Sequence, residues 1–319
     1  MTMDRRQALK TLGQACAGTA TAAATVGTSG TAEAASGGPY PDASPGAVGM
    51  LFDTTRCIGC KACVVACSEA NDLVPDTVLA NGLWQMPMDL NARTANIIKL
   101  YKEEDEDAVG GEYSYVKRQC MHCVDPACVA SCPFKALTKD PENGIVMWEA
   151  SQCIGCRYCE VACPFEVPKF EWEDFNPRIV KCQLCSHRLP EGLEPACCEV
   201  CPTDAVIFGA REDLLKDAKS RIAAKPEVYY EQKVYGERDG GGTQVLYLSH
   251  VPFTAIGLPE LPDESIAWYG TWVHGIIYKW LLIPMIVYGL MAAIIRKRWH
   301  HHEEEAREQA KKTGLPQQI

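Results

Sequence analysis

The sequence predicts an α+β fold made of two nested modules that are held together by clustered cysteines, with one transmembrane helix near the C-terminus. Three observations predict it. Sixteen of the 18 cysteines fall into four clusters, short β-rich stretches and turns separate those clusters, and residues 271–295 form an apolar run. With a net charge of −10 at pH 7, the chain is also a poor partner for nucleic acid, because phosphates bind basic surfaces.

The spacing of the cysteines indicates iron-sulfur ligation. Cys153, Cys156, Cys159 and Cys163, followed by Pro164, reproduce the C-x2-C-x2-C-x3-C-P run of bacterial ferredoxins. Three thiolates placed two residues apart converge from one tight loop whose backbone N–H groups point at an anionic cluster. The other three motifs are variants of this run: Cys57, Cys60, Cys63 and Cys67; Cys120, Cys123, Cys128 and Cys132; and Cys182, Cys185, Cys197 and Cys201. We therefore expect four [4Fe-4S] clusters.

Zinc and disulfides are the two alternatives for so many cysteines. Structural zinc sites usually pair two C-x-x-C knuckles across a long spacer, which a C-x-x-C-x-x-C triplet ending in C-x-x-x-C-P fits poorly. A disulfide framework is typical of short secreted domains, and cysteine here lies below the roughly 8% level of such scaffolds. We therefore adopt the iron-sulfur interpretation.

The order of the motifs predicts which of them share clusters. In two-cluster ferredoxins the cysteine before the proline ligates the other cluster. Residues 136–139 and 145–148 predict a hairpin between the second and third motifs, whereas Pro164, Pro168 and Pro177 argue against a simple hairpin leading to the fourth. We therefore expect nesting, in which the second motif pairs with the third and the first with the fourth.

This nesting defines four ligand sets and the limits of the modules. Set I is Cys57, Cys60, Cys63 and Cys201; set II is Cys67, Cys182, Cys185 and Cys197; set III is Cys120, Cys123, Cys128 and Cys163; and set IV is Cys132, Cys153, Cys156 and Cys159. Within a four-cluster domain at 48–270, the outer module comprises 48–70 with 178–210, and the inner module comprises 116–168. Cys198 is left over as a small buried side chain, and His122 is a candidate hydrogen-bond donor to a cluster sulfur.

The N-terminus predicts export from the cytoplasm. Within residues 1–34, Arg5 and Arg6 precede an Ala/Thr/Gly-rich stretch that ends in an A-x-A site at 32–34, as in a twin-arginine signal peptide. Cys16 lies inside this signal and is removed with it. Because export of the folded, loaded protein protects ligand thiols from an oxidising compartment, we expect the domain to lie at the periplasmic face of the inner membrane.

The apolar run near the C-terminus predicts a membrane anchor. Residues 271–295 are long enough to span a hydrocarbon core of about 30 Å. Lys279 and Pro284 favour the alternative of a buried amphipathic helix, but lysine snorkels beside aromatic residues and proline is tolerated in lipid. Three basic residues open the tail, 296–319, which is therefore expected to stay cytoplasmic. His274 is expected to be an interfacial anchor, with proximity to a haem or quinone of a neighbouring subunit as the alternative.

Outside the motifs the sequence predicts few regular elements. Strands are expected at 95–102, 113–117, 205–208 and within 243–248, and the acidic run at 103–107 is most simply a solvated loop. Residues 211–224 predict a helix with one apolar side, formed by Leu214, Leu215, Ala218 and Ile222. The histidines are scattered and form no constellation of nucleophile, base and orienting acid, so no catalytic site is expected.

The chain resembles the HybA-type iron-sulfur subunits of membrane-bound, hydrogenase-2-type uptake hydrogenases over nearly its whole length. The resemblance rests on the signal, the motifs, the C-terminal helix and six segments: 117–126, 156–159, 205–209, 211–212, 235–237 and 241–246. It implies that electrons from a nickel-iron hydrogenase pass along the clusters to an integral membrane subunit that handles quinone. The ligand pattern of that family also supports the nested sets.

Two related classes share this architecture. Beta subunits of membrane-bound formate dehydrogenases resemble the chain in cysteines and anchor, although they usually lack an export signal of their own. Iron-sulfur subunits of transmembrane redox complexes fed by multihaem cytochromes carry a signal and are similar around 53–57 and 211–214. We therefore expect a periplasmic electron relay without catalysis of its own, with these two classes and a non-redox metal scaffold as alternatives.

Overall fold

The computed structural model describes most of the chain between the two termini. The described residues are 39–74, 87, 89–102, 113–172 and 178–313, without the side chains of 269, 273–279, 281–282, 310–311 and 313. They belong to one unit that spans 38–319. The signal predicted at 1–34 and the acidic run at 103–107 lie outside the described residues.

Short strands are interspersed with helices along the described chain, and the last helix is much longer than the others, which agrees with an α+β fold. The strands are β1 (Val48–Asp53), β2 (Asn96–Lys102), β3 (Tyr113–Gln119), β4 (Leu137–Lys139), β5 (Val146–Trp148), β6 (Lys169–Phe170), β7 (Ile179–Val180), β8 (Val206–Ala210) and β9 (Val245–Leu248). The helices are α1 (Ala62–Ala70), α2 (Ala127–Ala130), α3 (Tyr158–Ala162), α4 (Ala196–Glu199), α5 (Arg211–Ala224) and α6 (Ile266–Thr313). Single turns of 3-10 helix occur at Ala150–Gln152, Leu189–Glu191, Tyr230–Gln232 and Asp239–Gly241.

A mixed three-stranded sheet with the order β8-β1-β9 organises the fold. Strand β1 pairs antiparallel with β8, where Phe52 lies opposite Val206, and parallel with β9, where Met50 lies opposite Val245. Gly49 permits the approach of β9, because a Cβ atom at this position would lie 1.9 Å from the Gln244 carbonyl oxygen. The sheet therefore joins three segments that are distant in sequence.

Helix α5 covers one face of this sheet and has the predicted bounds. Its Leu214, Ala218 and Ile222 are buried and pack against Leu51 of β1, so the predicted apolar side is confirmed. Successive side chains of a strand point to opposite faces, and Met50 therefore enters a second core, which also contains cysteines of the predicted ligand sets. The sheet thus connects α5 to the cysteine loops.

Asp53 fixes the end of β1, directly before the first cysteine motif. Its carboxylate is fully buried and accepts hydrogen bonds from the Thr55 hydroxyl at 2.6 Å, the Tyr229 hydroxyl at 3.1 Å and Arg221 Nη1 at 3.2 Å. Arg221 belongs to the last turns of α5, and Thr55 belongs to the segment that leads into the first motif. The carboxylate therefore links the sheet, α5 and that motif.

Replacing this carboxylate is expected to destabilise the folded protein. Asp53→Ala removes the buried one of the two carboxylates that pair with Arg221, leaving only the half-exposed Asp217, and breaking a buried ion pair costs about 3 kcal/mol or more. Thermal unfolding of the loaded protein, followed by visible absorbance, measures the change. Asp213→Ala is the control, because Asp213 forms an exposed pair with Lys216 whose loss is expected to have no measurable effect. Equal melting temperatures for the two variants would contradict the proposed role of Asp53.

Two antiparallel strand pairs occur where the sequence predicts strands. Strands β4 and β5 pair with Leu137 opposite Trp148, which confirms the hairpin between the second and third motifs. Strands β2 and β3 pair with Asn96 opposite Gln119, so β3 continues past its predicted end and runs directly to the second motif. The residues just before Cys120 are therefore held in regular structure.

A third strand pair corrects the expectation for the segment before the fourth motif. Strands β6 and β7 form a short antiparallel pair in which Lys169 lies opposite Val180, although the prolines of this segment argue against a simple hairpin. Pro168 does not prevent the pairing, because it precedes the first residue of β6, where no ladder hydrogen bond is lost. Pro177 lies outside the described residues.

Helix α6 contains the predicted span at 271–295 and most of the predicted tail. The side chains of 273–279 and 281–282 are not described. In the part of the chain whose side chains are described, no helix is both long and apolar enough to cross a membrane. The start of α6 is fixed to the domain, because the Ser265 hydroxyl donates to Asp125 at 2.5 Å and accepts from the Trp268 backbone N–H at 3.2 Å. Ser265 therefore acts as an N-cap of the helix.

Candidate iron-sulfur centres

The structure brings the four cysteines of set I around one cavity. Cys57, Cys60 and Cys63 come from the segment between β1 and the first turn of α1, and Cys201 follows α4. Their side chains line an empty space of about 330 Å³ that is partly open to solvent, and Phe52 contributes to its apolar wall. Four sulfur donors around an apolar space fit the ligand set of a [4Fe-4S] cluster.

Set IV lines a second cavity of the same kind. Cys153, Cys156 and Cys159 come from the third motif, and Cys132 comes from the end of the second. They surround an empty space of about 320 Å³, and Phe170 of β6 contributes to its wall. The thiol set again combines three cysteines from one loop with one from a distant motif.

The cysteines of set II are brought together in the interior. Cys67, Cys182, Cys185 and Cys197 are all buried. The Asn71 side-chain amide lies 3.6 Å from Cys67 Sγ and 3.8 Å from Cys185 Sγ, so its N–H groups point at two of the four sulfurs. Amide donors of this kind stabilise the negative charge on ligand sulfur.

Set III is also assembled by the fold. Cys123 interacts electrostatically with Cys163, Cys128 and Cys120, and burial together with these three neighbours raises the pKa of its thiol well above the usual value. Among the described residues, no three His, Cys, Asp or Glu side chains are placed to hold a single metal ion.

The loops of sets I and IV have the same backbone conformation. Both contain the sequence Cys-Ile-Gly-Cys, with φ of 69° at Gly59 and 70° at Gly155, followed by φ of 60° at Lys61 and 64° at Arg157. These left-handed values favour glycine. At Gly59 a Cβ atom would also lie 2.4 Å from the Tyr115 ring. The repeated backbone turns the three cysteines of each loop toward one cavity.

A second repeat, which the sequence reasoning missed, relates the second and fourth motifs. The sequence Pro-Ala-Cys at 126–128 begins α2, and the same sequence at 195–197 begins α4. Val129 of the first copy then corresponds to Cys198 of the second. This shared tripeptide is a second signal for the assignment that the spacing to Cys201 predicts, with Cys197 in the ligand set and Cys198 as a small buried side chain.

Cys198 is buried beside Cys197 and influences it directly. The Cys198 thiol donates a hydrogen bond to the Cys197 sulfur, and this lowers the pKa of Cys197 to about 6, although burial acts in the opposite direction. The same hydrogen bond and burial raise the pKa of Cys198 well above its ordinary value. The two neighbouring thiols thus share one proton-donor contact, in which Cys198 is the donor and Cys197 the acceptor.

Burial keeps most of the other thiols protonated when no iron is bound. It raises the pKa of Cys63 to about 12 and that of Cys57 to about 11 in set I, and the pKa of Cys159 to about 12 in set IV. Because the thiolate is the ligand, cluster binding must displace these protons. The iron then supplies the positive charge that the apolar surroundings lack.

His122, inside the second motif, is fully buried and neutral. Burial and the neighbouring Lys181 and Lys139 hold its pKa well below the ordinary value. Its Nδ1 accepts the Val146 backbone N–H at 3.0 Å, so the ring hydrogen is on Nε2. Nε2 has no partner in hydrogen-bonding geometry among the described residues, although the Cys182 carbonyl is nearby. An unpaired buried donor beside a ligand set fits the predicted hydrogen bond to a cluster sulfur.

Electrostatic contacts between cysteines of different sets establish their order. The contacts join set I to II, set II to III, and set III to IV, through the pairs Cys63 with Cys197, Cys182 with Cys120, and Cys128 with Cys159. The sets therefore form a series from I to IV. Helix α6 begins against α2, which carries Cys128, so the C-terminal helix starts near the later sets of the series.

The exposed thiols lie in the terminal sets of this series. Among the described cysteines only Cys60 of set I and Cys156 of set IV are exposed, whereas every thiol of set II is buried. Ile58 and Ile154, the residues after the first cysteine of each loop, are both exposed as well. The two ends of the series each have an exposed thiol, whereas the middle sets II and III have none among the described residues.

Two family models match the chain over the cysteine motifs. Both are described as 4Fe-4S dicluster domains, and they match residues 56–136 and 111–211. Two dicluster domains imply four [4Fe-4S] clusters, as the cysteine spacing predicts. The fold and its thiol sets therefore define a ferredoxin-like iron-sulfur protein of the class that transfers electrons.

Comparison with curated proteins places the chain within this class. It is 39% identical over 285 residues to hydrogenase-2 operon protein HybA of Escherichia coli O157:H7, covering 79% of this chain and 85% of that protein. It is 42% identical to the formate dehydrogenase-O iron-sulfur subunit of Escherichia coli K12, covering 70% of this chain and 76% of the subunit. It is also 42% identical to a protein of Nitratidesulfovibrio vulgaris, covering 89% of this chain and 73% of that protein. The chain belongs to the family of HybA-type iron-sulfur subunits, so the resemblance drawn from its motifs is confirmed.

Proposed function

We propose that this protein is the periplasmic subunit that relays electrons through four [4Fe-4S] clusters between a hydrogenase and a quinone-reactive membrane subunit. The observation that carries the proposal is the series of thiol sets, which has an exposed thiol at each end and none in the middle sets. The identity to a hydrogenase-2 operon protein over 85% of its length supports the hydrogenase as the donor.

In this proposal the sixteen cysteines of sets I to IV are the cluster ligands. Each cluster, when bound, accepts and releases one electron at a time. The protein contributes the thiolates, excludes water from the middle sets, and places N–H donors such as the Asn71 amide beside ligand sulfurs. These groups set the potential of each cluster by burial and hydrogen bonding. Because no step requires a protein nucleophile or base, the chain acts without a catalytic site of its own.

The position of α6 supports an assignment for the two ends. Helix α6 starts against α2, which contributes to set III, and set III adjoins set IV. We therefore propose that the cluster of set IV faces the membrane subunit and that the cluster of set I faces the hydrogenase. The direction of electron flow then follows from the potentials of the two partners.

The proposed location rests on the two ends of the chain. The twin-arginine pattern at 1–34 supports export, and exposed apolar side chains along α6, including Ile283, Ile286, Leu290 and Ile294, support attachment to a membrane. Three basic residues follow at 296–298 and favour a cytoplasmic C-terminus. We propose that α6 anchors the domain at the periplasmic face of the inner membrane.

Deleting this protein from its host is expected to abolish hydrogen-dependent quinone reduction in membranes. The hydrogenase should still reduce an artificial dye, because a dye takes electrons without the relay. Both activities are measured on the same membranes, with a strain that carries the restored gene as the control. Quinone reduction by hydrogen at an unchanged rate would overturn the hydrogenase assignment.

A second candidate partner is a formate dehydrogenase. The 42% identity to the formate dehydrogenase-O iron-sulfur subunit over 76% of that subunit favours it specifically. The same membranes distinguish the two, because a formate partner predicts loss of formate-dependent quinone reduction with the hydrogen-dependent rate unchanged. If the hydrogen-dependent and formate-dependent rates both stay unchanged, and quinone reduction by reduced multihaem cytochrome is lost, the donor is a multihaem cytochrome.

A further inference from the structure

Lys117 is a buried cation at the junction of sets I and II. It lies on β3 opposite Ile98 of β2, and its side chain is only 1% exposed. Its ammonium donates to the Gln119 side-chain oxygen, and the Gln119 amide nitrogen lies 3.1 Å from the Met50 sulfur. Neutral groups thus hold the ammonium in place.

Among the described residues, no carboxylate forms an ion pair with Lys117. A buried charge without a counterion is costly, so buried charges are normally paired. The groups that can balance this ammonium are ligand thiolates: Cys57 and Cys63 of set I, and Cys67, Cys182 and Cys197 of set II. The Cys197 sulfur also accepts a hydrogen bond from Lys117.

The other two lysines near the thiol sets are held differently. Lys181 donates to the carbonyl oxygens of Val146 at 2.5 Å and Cys182 at 3.1 Å. Lys139 donates to the Val124 carbonyl and has Asp125 as an acidic neighbour. Each of these two lysines also acts on one thiol of set III, Lys181 on Cys128 and Lys139 on Cys123, whereas the charge of Lys117 reaches thiols of two sets at once.

We propose that Lys117 is a fixed positive charge shared by the clusters of sets I and II, and that it raises the reduction potentials of both. Each cluster becomes more negative by one charge when its donor delivers one electron, and the ammonium keeps its proton throughout. A nearby positive charge stabilises the reduced form, and the low polarity of the interior strengthens this effect. The inference rests on the proposed function, because it takes sets I and II as cluster ligands.

Redox titration of the full-length, loaded protein, followed by electron paramagnetic resonance, tests this role. In Lys117→Met we expect two of the four midpoint potentials to fall. The equilibrium constant for reduction of each of these clusters should decrease by about tenfold or more, and a tenfold change corresponds to about 59 mV for one electron. Lys117→Arg keeps the charge and should restore both potentials. Lys219→Met removes an exposed lysine on α5 and should shift none.

The iron content separates failure of this inference from failure of the proposed function. About sixteen iron atoms per chain in Lys117→Met, with all four potentials unchanged or all four shifted alike, would overturn the role of Lys117 and leave the relay intact. An unmodified protein without clusters would overturn the relay itself. Lys117→Gln keeps a polar head without the charge and should reproduce the shift. If both neutral variants fail to load iron while Lys117→Arg loads it, Lys117 is needed for assembly and the tuning role is wrong.

Discussion

Cys197→Ala is expected to remove one of the four clusters, whereas Cys198→Ala at the adjacent position is expected to retain all four. Cys197 belongs to set II because only Cys197 keeps three residues before Cys201, while Cys198 is left over by that spacing. Iron and acid-labile sulfide in the purified variants should therefore fall by about a quarter for Cys197→Ala and stay unchanged for Cys198→Ala.

The two variants should differ even more in electron transfer. Set II lies inside the series, between sets I and III, so loss of its cluster interrupts the only chain of neighbouring thiol sets among the described residues. Hydrogen-dependent quinone reduction should be nearly abolished by Cys197→Ala, and Cys197→Ser provides a variant of similar volume. Equal iron content in the alanine variants at 197 and 198 would contradict the assignment of set II.

Removal of iron is expected to unfold the domain. The core that packs on one face of the sheet contains Cys63, Cys120, Cys182 and Cys197, and without a cluster these thiols surround unfilled space. Structural metal binding contributes about 10 kcal/mol or more in small zinc domains, which is comparable to the whole stability of a typical domain, about 5–15 kcal/mol. The stabilisation free energy lost with several clusters therefore exceeds the free energy that the remaining apolar core can supply.

The measurement is anaerobic chelation under mildly reducing conditions, followed by thermal unfolding with circular dichroism. The chelated protein should lose its cooperative transition, and reconstitution with iron and sulfide should restore it. An untreated sample kept under the same reductant is the control for thiol chemistry. A metal-free protein that melts at the same temperature as the loaded one would show that the clusters do not hold the fold together.

Local patterns allowed the helix α5 and the β4–β5 hairpin to be predicted from the sequence. In α5, apolar residues recur at helical spacing and become buried against Leu51. In the hairpin, a turn-forming segment separates two short β-rich runs, and the two strands pair at Leu137 and Trp148. Both features depend on residues that are close in sequence, where periodicity and turn chemistry are informative.

Features that depend on distant segments were not predictable in the same way. The parallel pairing of β1 with β9 joins Met50 to Val245, and no local pattern identifies such a partner. In β3, Lys117 lies between Val116, which is buried, and Arg118, which is half-buried. The burial of Lys117 therefore does not follow the alternation of the strand. Its environment is created by cysteines from the first and fourth motifs, which only the folded chain brings together.

The cysteine sets illustrate both cases at one site. In sets I and IV spacing predicts three ligands of each loop, because a tight turn brings them together regardless of the rest of the fold. The fourth ligand comes from another motif, and nesting predicts the same partners that line the two outer cavities, Cys201 and Cys132. The spacing to Cys201 separates Cys197 from Cys198 in the sequence, and the Pro-Ala-Cys repeat supports the same choice independently.

Quantification of iron and acid-labile sulfide in the anaerobically purified full-length protein, together with electron paramagnetic resonance of the dithionite-reduced sample, tests the four-cluster relay most directly. We expect about sixteen iron atoms and as many sulfides per chain, with the signals of several interacting clusters. A correctly folded protein whose ligand cysteines titrate as free thiols, or which holds zinc in place of iron, would contradict it.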